Sequence, residues 1–352
     1  MTTFLIRRVA QGLLVMLLSS VAVFSLLYLA PGGPLSEIIA SQRQSARYPI
    51  QPEDIERLKK QYDLDLPLWQ AYTRWAFGWP NLPDREQRLG VIRGDFGESW
   101  RLSEHEPTMR VILRALPNTV RLTLTATLLS LLVGVPVGMY SAMHQYSKTD
   151  YLVTAGTFFG NAMPVFWLGS MLILLFSFSF KAWGLPYLPA GSVSAVRQYT
   201  VPFVGVVRPE SYQDYALHLI LPTLTLSLLF MANWSRFTRT SMLEVLRQDY
   251  VRTARAKGLI ERLVIARHAL RNALIPLVTI VTLQMPVLFG GAVITETIFS
   301  WQGMGLVFVE SLVQSDWPVA MTYLLILSAL TVASTLLADV LYTLVDPRIR
   351  VA

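Results

Sequence analysis

Six apolar segments, each long enough to cross a lipid bilayer, constrain the fold of this 352-residue chain more than any other feature. A bilayer core of ~30 Å needs ~20 apolar residues per helix. The segments that meet this length are about Val9–Ala30, Leu122–Met143, Leu152–Phe180, Ala216–Trp234, Ala273–Ile294 and Pro318–Val345. The first is too long for the apolar region of a signal peptide, so we expect it to be retained. Asn161 and Pro164 interrupt the third, which we expect to tilt or to break there.

The sequence therefore predicts an all-α, polytopic membrane protein with six transmembrane helices and a helical external loop after the first. Residues 1–30 form the first helix, residues 31–116 the external loop, and residues 117–352 a five-helix core with a cytoplasmic loop at 235–272. Within the external loop, Pro52 is expected to open an amphipathic helix. Trp69, Trp75 and Trp79 follow, and indicate either a helix at the membrane interface or a small packed cap.

The net charge of +7 is concentrated in one loop. Between Ser235 and Asn272 there are nine Lys and Arg residues against three Asp and Glu residues. This local excess argues against a nucleic-acid partner and follows the rule that cytoplasmic loops are basic. We expect a multi-pass protein in contact with lipid and with both termini in the cytoplasm.

Several kinds of chemistry lack their residues in this sequence. There is no cysteine, no H-E-x-x-H and no nucleophile motif, so we predict no catalytic and no metal site. A phosphate-binding G-x-x-x-x-G-K-[ST] loop is also absent, so any ATP must be bound by a partner. Ionisable residues are scarce at the span centres, which disfavours an ion-coupled secondary transporter acting alone. Prolines within several spans favour a translocation path over a membrane scaffold or receptor.

The basic loop contains "YVRTARAKGL", which predicts a short capped helix. Asp249 is placed to cap its N-terminus, Tyr250–Lys257 to form about two turns, and Gly258 to end it in a left-handed conformation. The small residues Ala254, Ala256 and Gly258 would let the backbone of another protein approach this helix closely. An i+4 series predicts an apolar docking stripe composed of Met242, Leu246, Tyr250 and Ala254.

At these residues the chain resembles the binding-protein-dependent ABC-transporter permeases of the dipeptide, oligopeptide and nickel type. The family's loop has the form E-A-A, three residues, then G; here the corresponding places are Arg252, Thr253, Ala254 and Gly258. The resemblance spans nearly the whole chain. It is carried further by "RGDFGESW" (93–100), "LPNTVRLTL" (116–124), "ETIFSWQGMG" (296–305) and "DPRIR" (346–350). Departures from the family pattern occur at Arg121, Gln302 and Met304.

The resemblance implies a permease subunit of a bacterial or archaeal inner membrane, not an enzyme, that pairs with a second, homologous permease. Two cytoplasmic ATPase subunits would bind ATP and Mg²⁺, this chain would bind no cofactor, and an external binding protein would deliver the solute. Short peptides are the implied solute, with nickel chelates and oligosaccharides as alternatives. The residues expected to couple to the ATPases are Asp249, Tyr250, Arg252, Thr253, Ala254, Ala256 and Gly258.

Four polar or helix-bending residues are expected to line the translocation path: Asn161, Pro164, Gln284 and Glu296. Glu296 lies at the outer end of the fifth span, where its carboxylate is available to the amino terminus of an entering peptide. A structural role with an interfacial partner is the alternative for this residue.

Overall fold

The computed structural model describes residues 2–29, 52–61, 63–83, 87–103 and 105–345. Its longer helices are α1 Thr2–Tyr28, α2 Pro52–Gln61, α3 Leu68–Phe77, α4 Thr108–Met143, α5 Lys148–Ala162, α6 Val165–Ile173, α7 Tyr212–Leu246, α8 Asp249–Ala256, α9 Arg271–Ile298, α10 Met304–Val313 and α11 Trp317–Val345. Shorter elements are a 3₁₀ turn (Val91–Arg93), π-helices (Leu174–Ser179 and Val264–Leu270), three-residue helices (Phe180–Ala182 and Glu261–Leu263) and an antiparallel hairpin of β1 Tyr199–Val201 and β2 Gly205–Val207. The motif at 346–350 and residues 31–51, 62, 84–86 and 104 of the predicted external loop lie outside the described residues.

The helical class is confirmed, and five of the described helices are long and apolar enough to cross a membrane: Ile6–Tyr28, Thr108–Met143, Val165–Ala182, Tyr212–Leu246 and Trp317–Val340. The predicted fifth span forms helix α9, of 28 residues, which is not among these five. Six spans therefore stay a prediction. The expected break in the third span is confirmed, because α5 ends at Ala162 and Pro164 precedes α6. A proline favours an extended conformation in the residue before it, and Met163 adopts one at ψ 127°.

By packing, the chain divides into two compact units, Met1–Pro117 with Leu306–Ala333 and Asn118–Gly305 with Ser334–Ala352. We call them the first and the second unit. They are defined by internal contacts and not by a membrane, so the predicted boundaries at residues 30 and 116 stay predictions.

In the first unit, aromatic side chains hold α3 against α1. The ring of Phe24 lies 5.6 Å from that of Tyr72 and 5.2 Å from that of Trp75, measured between centroids. Trp69 and Trp79 remain 57% and 59% exposed. The tryptophans therefore divide between the two alternatives left open by the sequence: one packs in a small core and two present their rings outward.

The first unit also explains the "RGDFGESW" motif. The buried carboxylate of Asp316 accepts hydrogen bonds from three successive backbone amides, those of Trp100, Arg101 and Leu102, at 2.9–3.1 Å. It accepts a further bond from the hydroxyl of Ser99. The end of the motif is thus anchored to the turn before α11.

In the second unit, α4 and α7 are in direct backbone contact. A Cβ on Gly138 would lie 2.2 Å from the carbonyl oxygen of Ser235, and one on Gly134 would lie 3.0 Å from that of Met231. Only glycine allows two helices to approach so closely. The main apolar core of the unit surrounds this crossing and includes Trp234, whose indole N–H donates to Ser130 at 3.0 Å.

Candidate functional site

The segment predicted to receive the ATPases folds as α8, a two-turn helix that follows α7 after two residues. The proposed capping role of Asp249 is wrong, because Gln248 occupies the N-cap position and makes no side-chain capping bond. Asp249 is instead the first helical residue, with its side chain 98% exposed. There its negative charge lies at the positive end of the helix dipole, which is a favourable position.

The glycine stop is confirmed. Gly258 has φ +77° and donates its N–H to the carbonyl of Arg255 at 2.9 Å. A side chain at this position would meet no atom of the chain within 4 Å. Substitution therefore costs backbone strain and adds bulk on the outside, without a clash inside this chain.

One face of α8 is buried against its own flanking segments. Val251 and Ala254 are 0% and 7% exposed and pack with Val264, Val245 and Leu246. The predicted docking stripe is therefore wrong. Met242 and Ala254 are inside the chain, and the i+4 series ran across the end of α7 at Leu246, where one continuous helical face no longer exists. Ala254 helps to seat α8 on its flanking segments.

The outward side of this segment carries apolar side chains, most of which the sequence analysis missed. Tyr250 on α8 is 44% exposed, and after the glycine Leu259, Ile260 and Leu263 are 38%, 76% and 43% exposed. We call these four residues the apolar rim of α8. Helical periodicity ends at Gly258, so no pattern in the sequence connects the last three to the helix.

An ion pair closes the turn that follows α8. The guanidinium of Arg255 contacts both carboxylate oxygens of Glu261, with distances of 2.7–3.2 Å. This hydrogen bonding holds the pKa of Glu261 below its usual value. Both side chains are about half exposed, so the pair stabilises the turn only modestly.

The coupling residues predicted from sequence are exposed, except Ala254. Arg252, Thr253, Ala256 and Gly258 are exposed, as are Asp249 and Tyr250. The Arg252 guanidinium lies 3.8 Å from the Asp249 carboxylate at the entrance of the helix.

The residues predicted for a translocation path are not brought to one place. Asn161 and Pro164 are both exposed at the break between α5 and α6. Gln284 and Glu296 lie on α9, twelve residues or ~18 Å apart along the helix axis. A cavity of about 320 Å³ adjoins the break and is lined there by Gly160 and Met163, but by neither of the two predicted residues.

Glu296 is fully buried in the second unit. Its carboxylate accepts hydrogen bonds from the hydroxyl of Thr119 and from the backbone N–H of Gly305, both at 2.7 Å. Thr119 also accepts from the N–H of Met304 at 2.8 Å. Two motifs far apart in sequence thus meet at one carboxylate, an arrangement that favours the structural role over a contact with substrate.

Gln302, one of the departures from the family pattern, has a defined task here. Its side-chain oxygen accepts from the N–H of Val193 at 2.9 Å, and its amide donates to the hydroxyl of Ser192 at 3.1 Å. Its backbone carbonyl accepts from Asn118 at 2.7 Å. A proline, the residue expected here from the family resemblance, has no side-chain group that could make the first two bonds.

Comparison with known proteins agrees with the motifs. The family described as the binding-protein-dependent transport system inner membrane component matches residues 134–351, and that described as the N-terminal part of such membrane components matches residues 1–123. The oligopeptide transport system permease protein AppB of Bacillus subtilis (strain 168) is 37% identical over 351 residues, 99% of this chain and all of the relative. The dipeptide transport system permease protein DppB of Escherichia coli (strain K12) is 34% identical over 360 residues, with 99% of each chain covered.

Among solved structures, the methionine ABC transporter MetNI in an inward-facing conformation matches with a TM-score of 0.53 at 16% identity. The match covers 68% of this chain and 99% of the other. At this identity the likeness shows the fold alone. Since both parts of the sequence are matched and relatives above 30% identity cover its length, the chain belongs to the family of binding-protein-dependent inner membrane transport components, the permease subunits of ABC importers.

Proposed function

We propose that this chain is one of a pair of permease subunits in an inner-membrane importer for short peptides. Peptides are the solutes in the names of both curated relatives described above, and each relative is matched over 99% or more of its length. In this proposal an external binding protein delivers the peptide, and two cytoplasmic ATPases bind ATP and Mg²⁺. The chain itself is a permease and not an enzyme.

The observation that carries the proposal is the construction of α8. Its inner face packs on the end of α7 and on the segment leading into α9, while the apolar rim, formed by Tyr250 and the residues after the helix, is exposed. A displacement applied to the rim would therefore reach two long helices at once. Coupling between sites requires an element whose position both sites can bias, and in this proposal α8 has that role.

Within this proposal the rim is the apolar part of the ATPase contact, and Asp249, Arg252 and Thr253 form its polar edge. Ile260 is its most exposed member. Burial of apolar side chains is the main favourable term in most protein association, so the rim contributes affinity while the charged edge sets orientation. Both termini then lie on the ATPase side of the membrane.

The test is uptake by purified components in liposomes. The complete set is this chain, the second permease, two ATPases and the binding protein, supplied with labelled dipeptides and tripeptides. We expect uptake only with ATP and only with the complete set. Uptake by this chain alone, driven by an ion gradient, would show a secondary transporter instead. ATP hydrolysis with solute bound but never moved would show a receptor or scaffold.

Substrate class is tested on the binding protein that acts with this chain. We expect it to bind short peptides. Tight binding of a nickel chelate or an oligosaccharide, without peptide binding, would overturn the peptide assignment while leaving the ATP-driven mechanism in place.

A further inference from the structure

A buried ion pair joins α5 to α7 in the second unit. The guanidinium of Arg239 donates from Nε to one carboxylate oxygen of Asp150 at 2.7 Å and from Nη2 to the other at 2.8 Å. The Asp150 side chain is 4% exposed and that of Arg239 is 26% exposed. Two parallel bonds of this kind fix the relative orientation of both groups, which a single contact does not.

Two further donors complete the surroundings of this carboxylate. The hydroxyl of Ser141, near the end of α4, donates to it, and so does the backbone N–H of Tyr146 at 3.0 Å. The N–H of Asp150 itself donates to the hydroxyl of Ser147, the N-cap of α5. One carboxylate therefore holds together the end of α4, the turn after it, the start of α5 and α7. The hydrogen bond from Arg239 holds the pKa of Asp150 well below its usual range. We call Asp150 and Arg239 the latch.

The latch lies next to α8 along the chain. Arg239 is seven residues before the end of α7, or ~10 Å along its axis, and α8 begins three residues after that end. A continuous apolar contact connects the two, since Met242 packs with Ala142 of α4 and with Ile265 and Ala269 before α9. Leu246 packs both with this cluster and with Val251 of α8, so apolar contacts run from α8 to within three residues of Arg239.

The helices that meet at the latch differ in how they are held to α7. Helix α4 is in backbone contact with it through Gly138, and the indole N–H of Trp234 on α7 also donates to Ser130 of α4. Between α5 and α7 the cavity of about 320 Å³ opens, lined by Gly156 and Gly160 on one side and Met231 and Ala232 on the other. Beside this cavity α5 packs directly on α7, where a Cβ on Gly160 would lie 3.5 Å from the Cβ of Ala232, and the latch adds a fixed polar connection at the N-terminus of α5.

Resting on the proposed function, we propose that the latch makes α5, and with it the break before Pro164, follow α7 whenever the ATPases displace α8. Asp150 and Arg239 are positioning residues in this role, because they act through the helices that they join. The latch stays closed throughout the cycle and transmits motion without being a switch.

The first test replaces the latch by neutral side chains in the complete complex. Asp150→Asn and Arg239→Gln, singly and together, should leave ATPase attachment and hydrolysis close to wild type. The number of peptides taken up per ATP should fall roughly two- to thirty-fold, the usual range for residues that carry coupling. The control is Glu106→Gln, which removes an ion pair with the 68%-exposed Arg114 and should leave the ratio unchanged. An unchanged ratio in the double variant would overturn the proposal.

The second test separates coupling from fold stability. The chain has no cysteine, so Asp150→Cys with Arg239→Cys creates a unique thiol pair. Before cross-linking, peptides per ATP should be low, as in the neutral variants. Joining the thiols with a short bifunctional reagent should restore the ratio, since a covalent bond replaces the latch. A cross-link that blocks uptake would show that the pair must open, and a cross-link without effect would show that it only supports folding; either result overturns the proposal.

The wild-type complex distinguishes this proposal from the one it depends on. If wild type takes up peptides with ATP and the latch variants do so at the same ratio, only the latch proposal fails. If wild type shows no ATP-driven uptake, the proposed function itself fails.

Discussion

Gly303→Ala is the substitution whose consequence the structure defines most sharply. A Cβ at this position would lie 2.3–2.4 Å from the carboxylate atoms of Glu296, well inside contact distance. Glu296 is 0% exposed and is held by Thr119 and Gly305 at 2.7 Å each. The carboxylate must therefore leave both donors to make room for one methyl group.

The expected cost follows from the bonds that are lost. Hydrogen bonds to a charged group contribute about 1.5–3 kcal/mol each, so losing both costs roughly 3–6 kcal/mol. Overpacking alone would cost about 1–3 kcal/mol. We therefore expect a loss of at least about 3 kcal/mol. This is a large part of a typical folding free energy of about 5–15 kcal/mol.

Thermal unfolding of the purified chain in detergent measures this effect. A 3 kcal/mol loss lowers the midpoint by roughly 6–12 °C for a domain of 150–250 residues. The control is Gly156→Ala on α5, where a Cβ meets nothing within 4 Å and a small gain is expected. Repeating Gly303→Ala in a Glu296→Ala background should cost far less, because the obstructing carboxylate is gone. An equal cost in both backgrounds would refute the geometry.

The remaining predictions concern the coupling surface, the buried glutamate and pH. Gly258→Val should cost about 1 kcal/mol or more in backbone strain, leave membrane insertion intact, and weaken ATPase attachment or lower uptake per ATP. Normal attachment and coupling would contradict it. Ile260→Asp should lower the affinity for the ATPase about tenfold or more, since docking of a 76%-exposed isoleucine gains roughly 1–2 kcal/mol. Val196→Asp, in the loop before the β1–β2 hairpin, should leave this affinity unchanged. Glu296→Gln should lower the unfolding midpoint without selecting among peptides; a loss confined to peptides with free amino termini would instead place this side chain against substrate. The lowered pKa of Asp150 means that its stabilisation is present above the unfolded-state pKa of about 3.9 and is lost as pH falls below it. Between pH 5 and pH 3, about one unit above and one unit below that pKa, the unfolding midpoint of wild type should therefore drop more steeply than that of Asp150→Asn. Parallel curves for the two proteins would contradict this.

Local chemistry made part of the structure predictable. The apolar runs predicted the long helices, and Pro164 predicted the break between α5 and α6. A glycine just after the last turn of α8 predicted the left-handed conformation of Gly258. Each of these depends on a few neighbouring residues and the backbone conformations they permit.

Features that depend on distant residues were missed. The partner of Glu296 is Thr119, 177 positions away, and no local pattern joins them. The docking stripe failed because i+4 spacing defines a face only within one helix, and α7 ends inside the series. Aspartate is a residue type that favours the N-cap, which predicts this position for Asp249. The last non-helical residue before α8 is instead Gln248, so Asp249 is already inside the helix.

The central claim is that the energy of ATP enters this chain at α8, and contact mapping tests it most directly. Because the chain lacks cysteine, Ile260→Cys labelled with a photoreactive maleimide reports only what touches the apolar rim. In a complex that hydrolyses ATP and takes up peptide, illumination should join this chain to an ATPase subunit. The same label at Val196→Cys, which is 94% exposed, should not do so. A transporting complex that gives no ATPase adduct from position 260 would contradict the account.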